Sequence, residues 1–99
     1  MKDRAHDQSM GDLFRADPVF TTQYLNDVLD EGDQADLLVA LRQLAQAFGG
    51  VPAIAGKAHL NVTQLYRTLS AEGNPELRSL TAVLKVMGMR LAVQPIRHA

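Results

Sequence analysis

Apolar positions recur at helical spacing along most of this chain, and they predict five helices. Asp17-Pro18 opens the first. Aspartate is a good N-cap, and proline at the first helical position gives up only an N–H that has no partner there. Phe20, Tyr24 and Val28 form its stripe, with Leu25 and Leu29 beside it, and Glu31-Gly32 ends it. Asp33 caps a second helix running to about Phe48, with Leu37, Leu38, Leu41, Leu44, Ala45 and Phe48 on its apolar face. Burying such side chains at about 1.5–3 kcal/mol each fixes this helix to the rest, and Gly49-Gly50 stops it.

Residues 51–58 read as a third, short helix with Pro52 in its first turn and Ile54, Ala55 and Ala58 inward. Gly56 opposes this by about 1 kcal/mol relative to alanine. His59-Leu60 is a tight bend. Asn61 then caps a fourth helix, and Gln64 is placed to reach back to the cap's own N–H and complete a capping box. Val62, Leu65 and Leu69 share one face, leaving Thr63, Gln64, Arg67 and Thr68 outward with a single charge among them. Helix, short turn, helix over 51–70 is the helix-turn-helix layout. The outward face of the fourth helix suits hydrogen bonding to DNA or plain contact with water. A strand, favoured by its Val, Thr and Tyr, is opposed by the cap and the spacing.

Gly73 is placed to end the fourth helix in the left-handed conformation. Asn74-Pro75-Glu76 repeats the logic of Asp17-Pro18, and Leu77, Leu80, Val83, Leu84 and Met87 carry a fifth helix to Gly88. Over 89–95 the pattern shifts toward period two, with Met89, Leu91 and Val93 on one side. With no second strand in the chain, such a strand needs a partner's edge, and pairing across a homodimer is the expectation. An extended tail packed over the helices is the alternative.

Composition narrows the possibilities. The 99 residues contain no cysteine, which excludes disulfides, a thiolate nucleophile and a thiolate zinc site. The polar opening is unlike a signal peptide and no apolar run reaches the 18 or so residues of a membrane span, so a cytoplasmic protein with no membrane partner is expected. Residues 1–14 lack an apolar period and read as a flexible N-terminal arm ahead of a domain at 15–99. His6, His59 and His98 are too scattered for a metal site, and no serine sits in a nucleophile motif. Neither an enzyme nor a cofactor is expected.

The net charge of −1 conceals an uneven distribution. Residues 1–50 hold Lys2, Arg4, Arg15 and Arg42 against nine acids, net −5, whereas residues 51–99 hold six basic side chains against Glu72 and Glu76, net +4. Such a division suggests two kinds of partner, one of them polyanionic.

Several of these residues resemble a known family. Leu65-Tyr66-Arg67 and Leu69-Ser70, followed by Gly73-Asn74-Pro75 and then the run from Leu80 to Leu91, resemble the HigA-like addiction-module antidote proteins. Upstream, Asp17-Pro18, Tyr24-Leu25-Asn26 and Glu31-Gly32-Asp33 resemble their N-terminal helices, so the likeness spans about residues 15–95. It implies an all-α, five-helix, lambda-repressor-like fold with a Cro/repressor-type helix-turn-helix. It also implies an antitoxin that binds a RelE-like endoribonuclease toxin and represses their shared promoter. The sequence departs from the family at His59, where the turn usually has glycine, and at Val51 and Gly56, where polar residues are common. Histidine tolerates positive φ better than most side chains.

In such a motif the second helix meets base edges in the major groove, and dimers read two half-sites about one helical turn apart. Mapped onto this chain, Val62, Thr63, Gln64, Tyr66 and Arg67 are the candidate base readers in double-stranded operator DNA. Arg67 suits guanine O6 and N7, while Val62 or the Thr63 methyl suits a thymine methyl. Lys57, Asn61 and Arg78 are candidate phosphate contacts. The acids Asp27, Asp30, Glu31, Asp33 and Asp36 would complement a basic toxin surface, although capping and solvation account for them equally well. Two other functions stay open: a stand-alone prophage-type repressor without a toxin, and a helical protein-interaction module.

Overall fold

In a computed structural model, residues 12–96 are described, and the described residues are helical with no strand. A helical turn at 12–16 (α1) precedes α2 (Pro18–Glu31), α3 (Gln34–Ala47), α4 (Val51–Ala58), α5 (Val62–Thr68) and α6 (Leu77–Val86). α2 lies against α3, and α4 packs on α3, α5 and α6.

α1 is one helix more than the apolar pattern predicts. It also moves the domain boundary forward, because Phe14, assigned to the arm, is 1% exposed and belongs to the core. Its ring lies 5.9 Å from Phe20 and 5.3 Å from Tyr24, centroid to centroid. The buried Thr21 hydroxyl donates to the Phe14 carbonyl at 2.9 Å and satisfies a polar pair that burial would otherwise penalise. Residues 1–11 of the expected arm lie outside the described residues.

Both helices of the α2–α3 pair start where their side chains dictate. Asp17 accepts from the Phe20 N–H at 3.0 Å. At α3, Asp33 accepts from the Asp36 N–H at 2.9 Å and Asp36 accepts from the Asp33 N–H at 3.0 Å, a reciprocal capping box made by two aspartates. Gly49 and Gly50 end α3 with φ of 100° and 93°, values that strain any residue with a Cβ, and the chain turns by 91° into α4. Leu38, Leu41 and Leu44 of α3 meet Val51 and Ile54 of α4, Leu65 and Leu69 beside α5, and Val83 of α6 in one buried core.

Three expectations fail after residue 70. Gly73 does not take the left-handed conformation. Its glycine is needed for space instead: a Cβ there would stand 2.7 Å from the Thr68 carbonyl carbon and 2.9 Å from the Arg67 oxygen, at the end of α5. Asn74 does not cap the last helix. Gln34 of α3 donates to the Gly73 carbonyl at 3.0 Å, and the chain held there runs outside the helix until Glu76, whose ψ of 148° makes it the cap residue of α6 without a side-chain bond. Leu77 is therefore left 69% exposed, outside the stripe assigned to it, whereas Val83, Leu84 and Met87 are buried.

The expected strand at 89–95 is absent as well. Met89 N–H bonds back to the Leu84 carbonyl at 2.8 Å and its side chain packs on the core, but residues 90–96 run exposed without regular structure. A ladder needs a second edge, and the single chain offers none.

Candidate nucleic-acid interface

The helix-turn-helix is built by burial on one side and a strained turn in the middle. α4 has no side-chain cap; Val51, Ile54 and Ala55 hold it by being fully buried. Gly56 faces open space, so the interior glycine is neither a packing requirement nor a break. His59 follows with φ 57° and ψ 45°, the left-handed conformation its position demands, and among the described residues it is the one non-glycine with positive φ. The Leu60 N–H then donates to the Ala55 carbonyl at 2.9 Å and closes the turn.

Asn61 caps α5 as its sequence indicates, accepting from the Gln64 N–H at 2.9 Å. The reciprocal half of the capping box does not form, which leaves the Gln64 side chain exposed and uncommitted. Leu65 and Leu69 are buried and Val62 is 38% exposed, so the ambiguity over Val62 resolves toward the surface. Thr63 and Arg67, four residues apart, share the face opposite Leu65 and are both exposed. Gln64 lies on one flank of that face, Val62 and Tyr66 on the other. The five candidate base readers thus form one exposed surface of a seven-residue helix.

Tyr66 brings a residue that the sequence pattern did not single out. The Arg42 guanidinium of α3 lies over its ring, 5.6 Å from the centroid, within cation–π range. No local motif connects positions 42 and 66; the fold brings them together from α3 and α5. The three candidate phosphate contacts are exposed but lie on different elements: Lys57 in the last turn of α4, Asn61 at the cap of α5, and Arg78 in the first turn of α6. The oxygen of Asn61 is spent on the cap, leaving its NH2 free to donate.

The acidic residues lie at the end of α2 and the start of α3. Asp27, Asp30, Glu31, Asp33 and Asp36 are all exposed, and none forms an ion pair among the described residues, where Arg15 with Asp12 is the pair present. Asp27, Glu31 and Asp36 line an open groove of about 430 Å³ between α2 and α3, whose floor includes Tyr24, Val28, Val39 and Ala40. Asp30 and Asp33 lie outside it. The Tyr24 hydroxyl donates to Gln43 across the groove at 3.2 Å. Among the described residues no cluster of His, Asp or Glu could hold a metal ion, and no single helix is long and apolar enough to cross a membrane.

Residues 9–95 match the family model described as "Probable addiction module antidote protein", and the chain belongs to that family. It is also similar to an uncharacterised protein of Haemophilus influenzae, 34% identical over 76 residues that cover 77% of each chain. No solved structure matches it significantly. An antidote acts on a toxin, so the family implies a toxin partner in general terms.

Proposed function

We propose that this chain is the antitoxin of a two-protein module: it neutralises a RelE-like ribonuclease toxin by binding it and represses its own promoter through α4 and α5. The observation that carries the DNA side is the α5 surface. Thr63, Gln64 and Arg67 are exposed, hydrogen-bonding side chains on a helix whose start is fixed by the Asn61 cap and whose other face is buried. Arg67 reads guanine, Thr63 and Val62 meet a thymine methyl, and Lys57, Asn61 and Arg78 hold phosphates. Two copies would read two half-sites, and the exposed apolar Leu91, Val93 and Ile96 offer surface for association.

Gel shift on the DNA immediately upstream of the chain's own reading frame tests this side. Arg67→Ala is expected to cost about 1–3 kcal/mol, concentrated at one base position. Unchanged operator affinity would remove Arg67 from the reading.

The toxin side rests on the acidic groove. Asp27, Glu31 and Asp36 around an apolar floor match a basic segment that carries an apolar side chain, as an RNA-cutting protein with a cationic surface would present. Co-expression with the neighbouring gene, followed by affinity purification, is the measurement. Asp27→Asn with Glu31→Gln leaves the α3 capping box intact and is expected to slow association and flatten its salt dependence. Unaltered kinetics would place the toxin elsewhere.

A further inference from the structure

Arg42 is an exposed cation that the helix-turn-helix reading does not use. It projects from α3, a helix outside the motif, yet its guanidinium lies 5.6 Å over the ring of Tyr66, which is 39% exposed on the base-reading helix. Gln34, about two turns earlier on α3, bonds to Gly73 just beyond α5, so one flank of α3 faces α5 and the loop that follows it. Asp36, Val39 and Gln43 line the acidic groove on the other flank. Arg42 is in contact with Tyr66 of α5 and forms no ion pair with a carboxylate among the described residues.

A cation–π contact is made by the charge of the guanidinium and spends none of its five N–H donors on an acceptor. Among the described residues Arg42 has neither an ion-pair nor a hydrogen-bond acceptor. An oriented cation with unspent planar donors is suited to a phosphate, which it can engage through two parallel hydrogen bonds. When a helix lies in the major groove its flanks face the bordering sugar–phosphate strands, and Tyr66 is on a flank of α5 rather than at its tip.

We propose that Arg42, held in place by Tyr66, contacts a DNA backbone phosphate beside the α5 base-reading face, extending the interface beyond the helix-turn-helix. This rests on the DNA-binding reading given above. It also reassigns Tyr66: its ring is the platform for Arg42 rather than a reader of bases. The contact contributes affinity without sequence preference, because a phosphate carries no base identity.

The test measures binding against salt concentration for the full chain, using a duplex from upstream of its own reading frame and a scrambled duplex of equal length. Arg42→Ala and Arg42→Gln are expected to weaken binding to both duplexes by a similar factor. Each should also lower the slope of log K against log salt by about one. Tyr66→Phe keeps the aromatic face and is expected to bind like the parent chain, whereas Tyr66→Leu should weaken both duplexes. Melting temperatures of all four variants identify any that lose binding through unfolding, and for such a variant the slope of the folded Arg42→Gln chain decides. An unchanged slope would overturn the Arg42 contact even if affinity fell. Loss confined to the upstream duplex would make Arg42 or Tyr66 a base reader and overturn the proposal too. A parent chain that binds neither duplex would instead overturn the DNA-binding reading beneath it.

Discussion

The α2–α3 pair and the α4–α5 pair meet in one core but are specified differently. α2 and α3 are 14 residues each, begin at side-chain caps, and would be recognised as helices from local sequence alone. α4 and α5 have eight and seven residues, and α4 lacks a side-chain cap. Peptides that short are not stable helices in water, because nucleation costs more than a few hydrogen bonds return. The α4–α5 pair therefore exists by virtue of its buried face, whereas the α2–α3 pair also has local support. A short helix anchored by two leucines leaves most of its surface free.

Leu65→Ala is the largest test of this contrast. Leu65 is among the most buried side chains, and its truncation is expected to cost about 2–5 kcal/mol. DNA binding should fall with the melting temperature, since nothing local rescues α5. Truncating the exposed Leu29 of α2 is expected to change stability by no more than about 0.5 kcal/mol. Thermal melts of the two variants check the pair. If Leu65→Ala melted like the parent chain, α5 would have support other than packing.

Gly73→Ala sharpens the contrast at the exit from the motif. The added methyl meets backbone of Arg67 and Thr68, which cannot rotate away as a side chain could. Overpacking of this kind costs about 1–3 kcal/mol, and the displaced element is the end of α5. Weaker DNA binding with retained toxin binding, measured below the melting temperature, is the expected result. Equal loss of both would show that the two pairs are not mechanically separable.

How much could be read in advance follows the same division. Asp17, Asp33 and Asn61 act locally through their own side chains, and each caps as its sequence indicates. The left-handed turn at His59 was legible through the family resemblance, because the turn usually has glycine there and histidine tolerates positive φ. Features set by distant contacts were not. Phe14 joins the core through an aromatic cluster with Phe20 and Tyr24, and a single aromatic residue has no period to announce it. Gly73 was expected to need a positive φ; it needs space against the backbone at the end of α5, which a reading of φ alone does not reveal. The strand predicted at 89–95 had the right alternation and no edge to pair with. Of the candidate site, the α5 face was visible as a run of polar positions, while Arg42 could be placed beside it only once α3 and α5 were seen together.

Asn61 and Asn74 give the finest comparison, since both precede an apolar helical stripe. Asn61 accepts a hydrogen bond from the Gln64 N–H, so Asn61→Ala removes the one side-chain cap of a helix with little else at that end. About 1 kcal/mol is expected, within the 0.5–2 kcal/mol range of such caps. Asn74 is exposed and lies before the extended Glu76, where it caps nothing. Asn74→Ala is accordingly expected to cost no more than about 0.5 kcal/mol, in the range of an ordinary surface substitution. Denaturant midpoints of the two variants, measured together, separate these outcomes. Equal costs would mean that α6 starts at Asn74-Pro75 in solution, and the spacing between α5 and α6 described here would have to be redrawn.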